Sequence, residues 1–140
     1  MCRFQLKTYR KGQEYAQNHF FILSRGLNSG KPMKEPCPNC FACIATSPED
    51  AEKLYWTLFA LWQGRKFHEV LVGSVIPFIR KRELQNLIQQ GLQTSEMHPE
   101  KFQKTLVSLR QLQQQESNYQ KMQKSIKELK LIMVHKLLAS

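Results

Sequence analysis

The chain has 140 residues, 41% of them apolar and 23% charged, with a formal net charge of +10 at neutral pH. That length holds one small domain with at most one appended element, and the charge favours an anionic partner, nucleic acid before a membrane surface. No run of 18 apolar residues occurs and Met1 to Lys7 has no signal-like apolar region. The expectation is therefore a cytoplasmic protein with four reduced cysteines, neither membrane-spanning nor disulfide-framed.

Phe4, Leu6 and Thr8 alternate on one face, and Tyr9-Arg10-Lys11-Gly12-Gln13 reads as a polar turn. His19-Phe20-Phe21-Ile22-Leu23 is a compact apolar run, so the two segments predict a hairpin or two neighbouring strands. Residues 24–39 are rich in Gly, Pro, Asn and Ser and carry Arg25, Lys31 and Lys34. A basic glycine-containing loop can approach a phosphate backbone closely, although it matches no phosphate-loop pattern; a plain surface loop is the competing reading.

Cys37 and Cys40 have the spacing that lets two thiolates reach one ion, and Cys43 repeats it. Structural zinc needs four ligands, and the fourth would have to be Cys2, His19 or His68, because no second Cys-x-x-Cys follows. Phe41-Ala42-Cys43-Ile44-Ala45 also reads as a short buried strand in which Cys43 is a small hydrophobe. Ser47-Pro48-Glu49-Asp50 is a helix start, with Ser as cap, Pro in the first helical position and acids in the first turn. The helix it opens carries Leu54, Tyr55, Leu58, Phe59, Leu61 and Trp62 and stops near Gly64, so it is the expected main core helix. Its aromatic residues recur at helical spacing, which fits core packing better than base stacking.

After a short amphipathic piece, Arg65 to Val72, comes the stretch that organises the chain, Gly73-Ser74-Val75-Ile76-Pro77-Phe78-Ile79-Arg80-Lys81-Arg82-Glu83-Leu84. Val75, Ile76, Phe78 and Ile79 interrupted by Pro77 predict a brief edge strand or strand-like turn. Leu84, Leu87 and Ile88 then switch to helical period, with Gly91 as the expected stop. Arg80, Lys81 and Arg82 stand at the start of that helix, where cations oppose its dipole and an anion would relieve them. A phosphate site is one reading and a solvated basic turn the other.

Residues 1–95 carry +6 and residues 96–140 carry +4, so the charge is not a basic tail on a neutral body. The predicted division is a small α+β domain over 1–95 followed by a long amphipathic helix over 96–140. In that second part Phe102, Leu106, Leu109 and Leu112 give way to Tyr119, Met122, Ile126, Leu129, Met133 and Leu137, with a polar interruption at Gln113 to Asn118. The stripe is too narrow for a core helix and calls for a partner helix from a second chain. A homodimeric coiled coil seamed by Leu112, Tyr119, Met122, Ile126, Leu129 and Met133 is the economical expectation.

The order of these parts resembles the target-recognition unit and spacer helix of type I restriction–modification specificity subunits. The resemblance covers about residues 50–140. It rests on the aromatic helix Leu54-Tyr55-Trp56-Thr57-Leu58-Phe59, on Phe67, and on Gly73-Ser74-Val75-Ile76-Pro77 followed by Leu84. The long helix ending Leu129-Lys130-Leu131-Ile132-Met133 completes it. Phe78 stands where many members of that family have His, and the part before the long helix is shorter than a complete recognition domain. The whole chain also looks like small uncharacterised proteins of gut-bacterial genomes and mobile elements. What the first resemblance implies is a half specificity subunit: one recognition unit and one helix, completed by dimerisation, on duplex DNA, with a methyltransferase subunit as a further partner. Arg80, Lys81, Arg82, Arg25, Lys31 and Lys34 are then the candidate backbone contacts, with Arg65 and Lys66 next.

No nucleophile–base pair, carboxylate cluster or glycine-rich nucleotide motif occurs, so the expectation is not an enzyme and no cofactor, structural zinc excepted. The competing reading is a protein-interaction module, an accessory or antagonist of a restriction complex, that keeps the dimerising helix and does not read DNA.

Overall fold

The computed structural model describes residues 2–139, which fall into two compact units divided between His98 and Pro99. The first is an α+β unit and the second is one long helix.

Four strands form an antiparallel sheet: β1 (Phe4–Thr8), β2 (His19–Leu23), β3 (Pro32–Met33) and β4 (Cys40–Ala45). Their order across the sheet is β1-β4-β2-β3. The expected pairing of the first two strands does not occur, because β4 lies between them and pairs with both, Leu6 opposite Cys43 and Phe20 opposite Cys43. The reason lies in composition. Cys40-Phe41-Ala42-Cys43-Ile44-Ala45 is apolar at every position, and five of the six are buried. Such a strand needs cover on both faces and both edges. β1 alternates buried Leu6 with exposed Gln5 and half-buried Lys7, as suits an edge.

Leu6, Phe20, Ile22, Phe41, Cys43 and Ala45 face two helices, α1 (Pro48–Gln63) and α2 (Lys81–Met97). Ser47 caps α1 by accepting from the Asp50 amide at 3.1 Å, with Pro48 next and Glu49 and Asp50 in the first turn. Leu54 and Leu58 of α1 and Leu84 and Ile88 of α2 are fully buried with Ile22 and Phe67. Each contributes about 1.5–3 kcal/mol by leaving water. The opposite face of the sheet carries a smaller cluster of Phe21, Cys40 and Ala42 under Tyr9, Tyr15 and Met33.

The expected stop at Gly91 is overturned. α2 continues to Met97 because Gly91 faces α1, where an added Cβ would lie 2.8 Å from Thr57 Cγ2 and 3.2 Å from Leu61 Cδ1. The glycine serves close helix–helix approach, not termination. Between α1 and α2, Lys66–Val70 forms a short 3-10 turn that buries Phe67.

The second unit is α3 (Pro99–Ala139), 41 residues without a break through the polar Gln113–Asn118 segment. At 1.5 Å per residue it is about 60 Å long. It opens on Pro99, so residues 96–97 belong to α2 and not to the long helix. Among the described residues no helix is long and apolar enough to cross a membrane.

Candidate nucleic-acid interface

Of the two forms expected of residues 75–79, edge strand or strand-like turn, the structure has the turn. Val72 and Phe78 exchange both backbone hydrogen bonds, at 3.0 and 2.9 Å, and close a loop over Gly73–Pro77. Gly73 has φ +104, and a Cβ there would come within 2.8 Å of the Ile76 carbonyl oxygen, so the tight return requires glycine. Phe78 is simultaneously the bridge partner of Arg25. Gly26 N–H donates to Pro77 O at 2.7 Å and Ile79 N–H to Ser24 O at 3.0 Å, fastening the loop to the turn that follows β2.

That turn is itself braced. Ser29 Oγ–H donates to Gly26 O at 2.6 Å, and the side chain is fully buried. Gly30, at φ +96, lies against the Phe67 ring, where a Cβ would fall 2.1 Å from a ring carbon. His68 Nε2 lies 3.0 Å from the Leu27 carbonyl oxygen, which can only accept, so the imidazole donates. Three segments distant in sequence are thus locked together: 24–30, the 3-10 turn and 72–80.

The cations follow from this frame. Arg25 stands opposite Phe78, and directly opposed residues of an antiparallel pair point to the same side. Two residues on, Arg80 is the N-cap of α2 in extended conformation, with no side-chain hydrogen bond to the helix. Lys81 and Arg82 occupy the first turn, and all four are exposed. The structure therefore joins Arg25 to Arg80, Lys81 and Arg82. Arg65, in left-handed conformation at φ 56, and Lys66 open the braced 3-10 turn. Lys31 closes the turn through its backbone, but its Nζ sits over the Trp62 ring, 5.1 Å from the centroid. Lys34 follows β3 at the edge of the sheet.

The loop also carries an exposed apolar tip. Val75 is 89% exposed, Ile76 55% and Leu27, on the neighbouring turn, 68%. The available signal was their position inside a Gly–Pro-bounded turn flanked by cations, where no second strand follows to cover them. A second feature absent from the sequence reading is the aromatic set on the open face of the sheet. Tyr9, Tyr15 and His19 surround Phe21 with ring centroids 5.3–6.0 Å from it.

The cysteines do not converge. Cys40 lies with Cys37 on the open face of the sheet, and its thiol approaches Cys37 O at 3.0 Å. Cys43, three residues along the strand, points to the opposite face and is fully buried in the main core. Alternation along β4 thus separates Cys43 from Cys40 and its neighbour Cys37. Among the described residues no three His, Cys, Asp or Glu side chains group to hold an ion. Burial, and secondarily Cys2, pushes the Cys43 thiol up to about 12; burial, then Asp50, pushes Cys2 up to about 11. Thiols so shifted stay protonated and are poor nucleophiles. A groove of about 530 Å³ between the start of β1 and α2 is lined by Arg3, Glu96 and two glutamines beside Cys2, Phe4 and Leu92. It brings together no nucleophile and base.

On α3, Leu112, Tyr119, Ile126 and Met133 recur every seven residues, with Met122 and Leu129 between them, and all six are 48–70% exposed. Toward the end Leu131, Ile132, Val134, Leu137 and Leu138 widen the exposed apolar surface beyond a seam.

A family model described as a family of unknown function, DUF6943, matches residues 6–136, and the chain belongs to that family. No curated protein matches the chain. No solved structure matches it either.

Proposed function

We propose that this DUF6943 chain is a non-catalytic module that binds duplex DNA, built like a half specificity subunit of a type I restriction–modification system and completed by dimerisation through α3. One observation carries the reading: backbone bonds between distant loops gather Arg25, Arg80, Lys81 and Arg82 around a helix N-terminus that no side chain caps. Phosphate groups fit both the guanidinium forks and the amide donors of that first turn. The proposed module takes no cofactor and works in the cytoplasm, where its DNA is. Affinity from such contacts is sequence-independent, so base reading falls to other side chains of the same loops.

The test is duplex binding between about 50 and 200 mM salt. Four neutralised phosphates per protomer give a logarithmic slope near −3.6, a loss of about 150-fold over that range. Arg80→Glu/Arg82→Glu removes about two of those contacts and flattens the slope by about half. Absence of binding by folded protein at low salt sinks the reading.

A second reading is favoured by the breadth of the exposed apolar surface at the end of α3. It makes the chain a protein-interaction module, an accessory or antagonist of a restriction complex, whose helix docks a methyltransferase subunit and whose first unit reads no DNA. Binding of a methyltransferase subunit by a charge-reversed variant that has lost DNA would favour it.

A further inference from the structure

We infer that the Val75–Ile76 tip is a wedge that enters duplex DNA from the minor groove and partly unstacks one base step; this rests on the DNA-binding reading above. Two exposed apolar side chains at the apex of a turn normally cost solubility and are retained where something covers them. Here they are also held rigidly. The Val72–Phe78 bond pair closes the loop at its base, Gly73 makes the return, and Pro77 and Ile79 are bonded to the turn after β2. A soft loop would fold its apolar residues back onto the core; this one is clamped outward.

The chemistry around the tip names the occupant. Arg25 is in register with Phe78, and Arg80 follows Phe78 by two residues, so two arginines stand together on the C-terminal side of the apolar apex. Partial intercalation uses that combination: one or two stiff apolar side chains to part a base step, and arginines beside them for the phosphates. A bilayer would call for a broader apolar surface than Val75, Ile76 and neighbouring Leu27 offer, because held peripheral proteins bury whole helix faces or acyl chains. DNA is therefore the partner that the size of the tip and its arginines fit together.

The experiment uses the full-length chain and a mixed-sequence duplex containing TA steps, with 2-aminopurine at one such step and a donor–acceptor pair on the ends. Wild-type protein should raise the 2-aminopurine fluorescence and shorten the end-to-end distance. Val75→Ser/Ile76→Ser changes only exposed positions, so it should keep the thermal midpoint and the salt slope of binding while losing both signals. Binding by wild type with neither signal overturns the wedge and leaves DNA binding standing. Equal signals from the tip variant also overturn it. No duplex binding at low salt overturns both readings together. Tip-dependent binding to phosphatidylserine-containing vesicles without either DNA signal overturns the wedge in favour of a membrane surface.

Discussion

Gly91→Ala sets two known effects against each other, and the packing of α1 on α2 decides the sign. In an exposed helix interior alanine is about 1 kcal/mol more favourable than glycine. At Gly91 the new methyl meets Thr57 Cγ2 at 2.8 Å and Leu61 Cδ1 at 3.2 Å. Leu61 can rotate away. Thr57 cannot, because it is buried, β-branched, and donates its hydroxyl to Lys53 O at 2.7 Å. Overpacking of that kind costs about 1–3 kcal/mol, which exceeds the propensity gain and leaves a net loss of about 1 kcal/mol. For a chain of this size the midpoint should fall by about 3 °C. Thr57→Ser deletes the offending methyl and keeps the hydroxyl. In that background Gly91→Ala should become stabilising, with a coupling of about 1–2 kcal/mol across the cycle, read by urea denaturation of all four proteins. A rise in stability from Gly91→Ala with Thr57 intact, or coupling below about 0.5 kcal/mol, would refute the close-approach role of the glycine.

Gly30→Ala and Gly26→Ala separate packing from backbone strain. Both have positive φ, but only at Gly30 does a Cβ strike a ring, so Gly26→Ala should cost about 1–2 kcal/mol and Gly30→Ala at least about 3 kcal/mol; equal losses would show that Phe67 yields freely. Thiol labelling of native protein should reach half-exposed Cys37 first and buried Cys40 and Cys43 only on unfolding; early labelling of Cys43 would contradict its place in the core. The Cys43 thiol is raised from 9.0 to about 12, so the unfolded chain loses that proton first. Its contribution is whole below pH 9 and fades as pH climbs toward 12, by as much as about 4 kcal/mol. Cys43→Ala should start less stable and decline less steeply over that alkaline window in pH-dependent unfolding. Ile126→Glu places a charge in the α3 seam and should convert dimer to monomer in sedimentation over a dilution series; a wild-type protein that is monomeric throughout would remove the dimer from the proposal.

The α+β class and the long last helix could be read from pattern alone, because their signals are local. Ser47-Pro48 with its acids marks a helix start wherever it occurs, and the apolar steps from Leu112 to Met133 exclude any other element. What was not legible depended on pairing between distant segments. Nothing in β1 or β2 says that a third strand will come between them; only the two-sided burial of Cys40–Ala45 decides it. Gly91 has one meaning by itself and another once Thr57 lies against it. Of the basic residues singled out, Arg25, Arg80, Lys81 and Arg82 are brought together by bonds between loops. Lys31 is drawn off by Trp62, a contact between residues 31 positions apart that no spacing rule encodes. Cys37, Cys40 and Cys43 share a ligand spacing, yet alternation along β4 turns Cys43 to the face opposite Cys40, which keeps Cys37 beside it.

The central position of β4 also bears on how the chain is made. β1 and β2 leave the ribosome first, and neither is the other's partner. Sixteen residues lie between Leu23 and Cys40, so at about 5–20 residues per second the nascent chain waits about one to three seconds before the strand that joins β1 to β2 begins to appear. During that interval β2 has only the two-residue β3 to pair with, and β1 has no partner at all. Translation that slows between Ser24 and Asn39 prolongs the exposure, and a fragment ending there lacks the strand that holds β1 and β2 in one sheet. The order in which the strands are synthesised, as much as their affinity for one another, therefore sets the window in which this protein is vulnerable to proteases and to its own neighbours on a polysome.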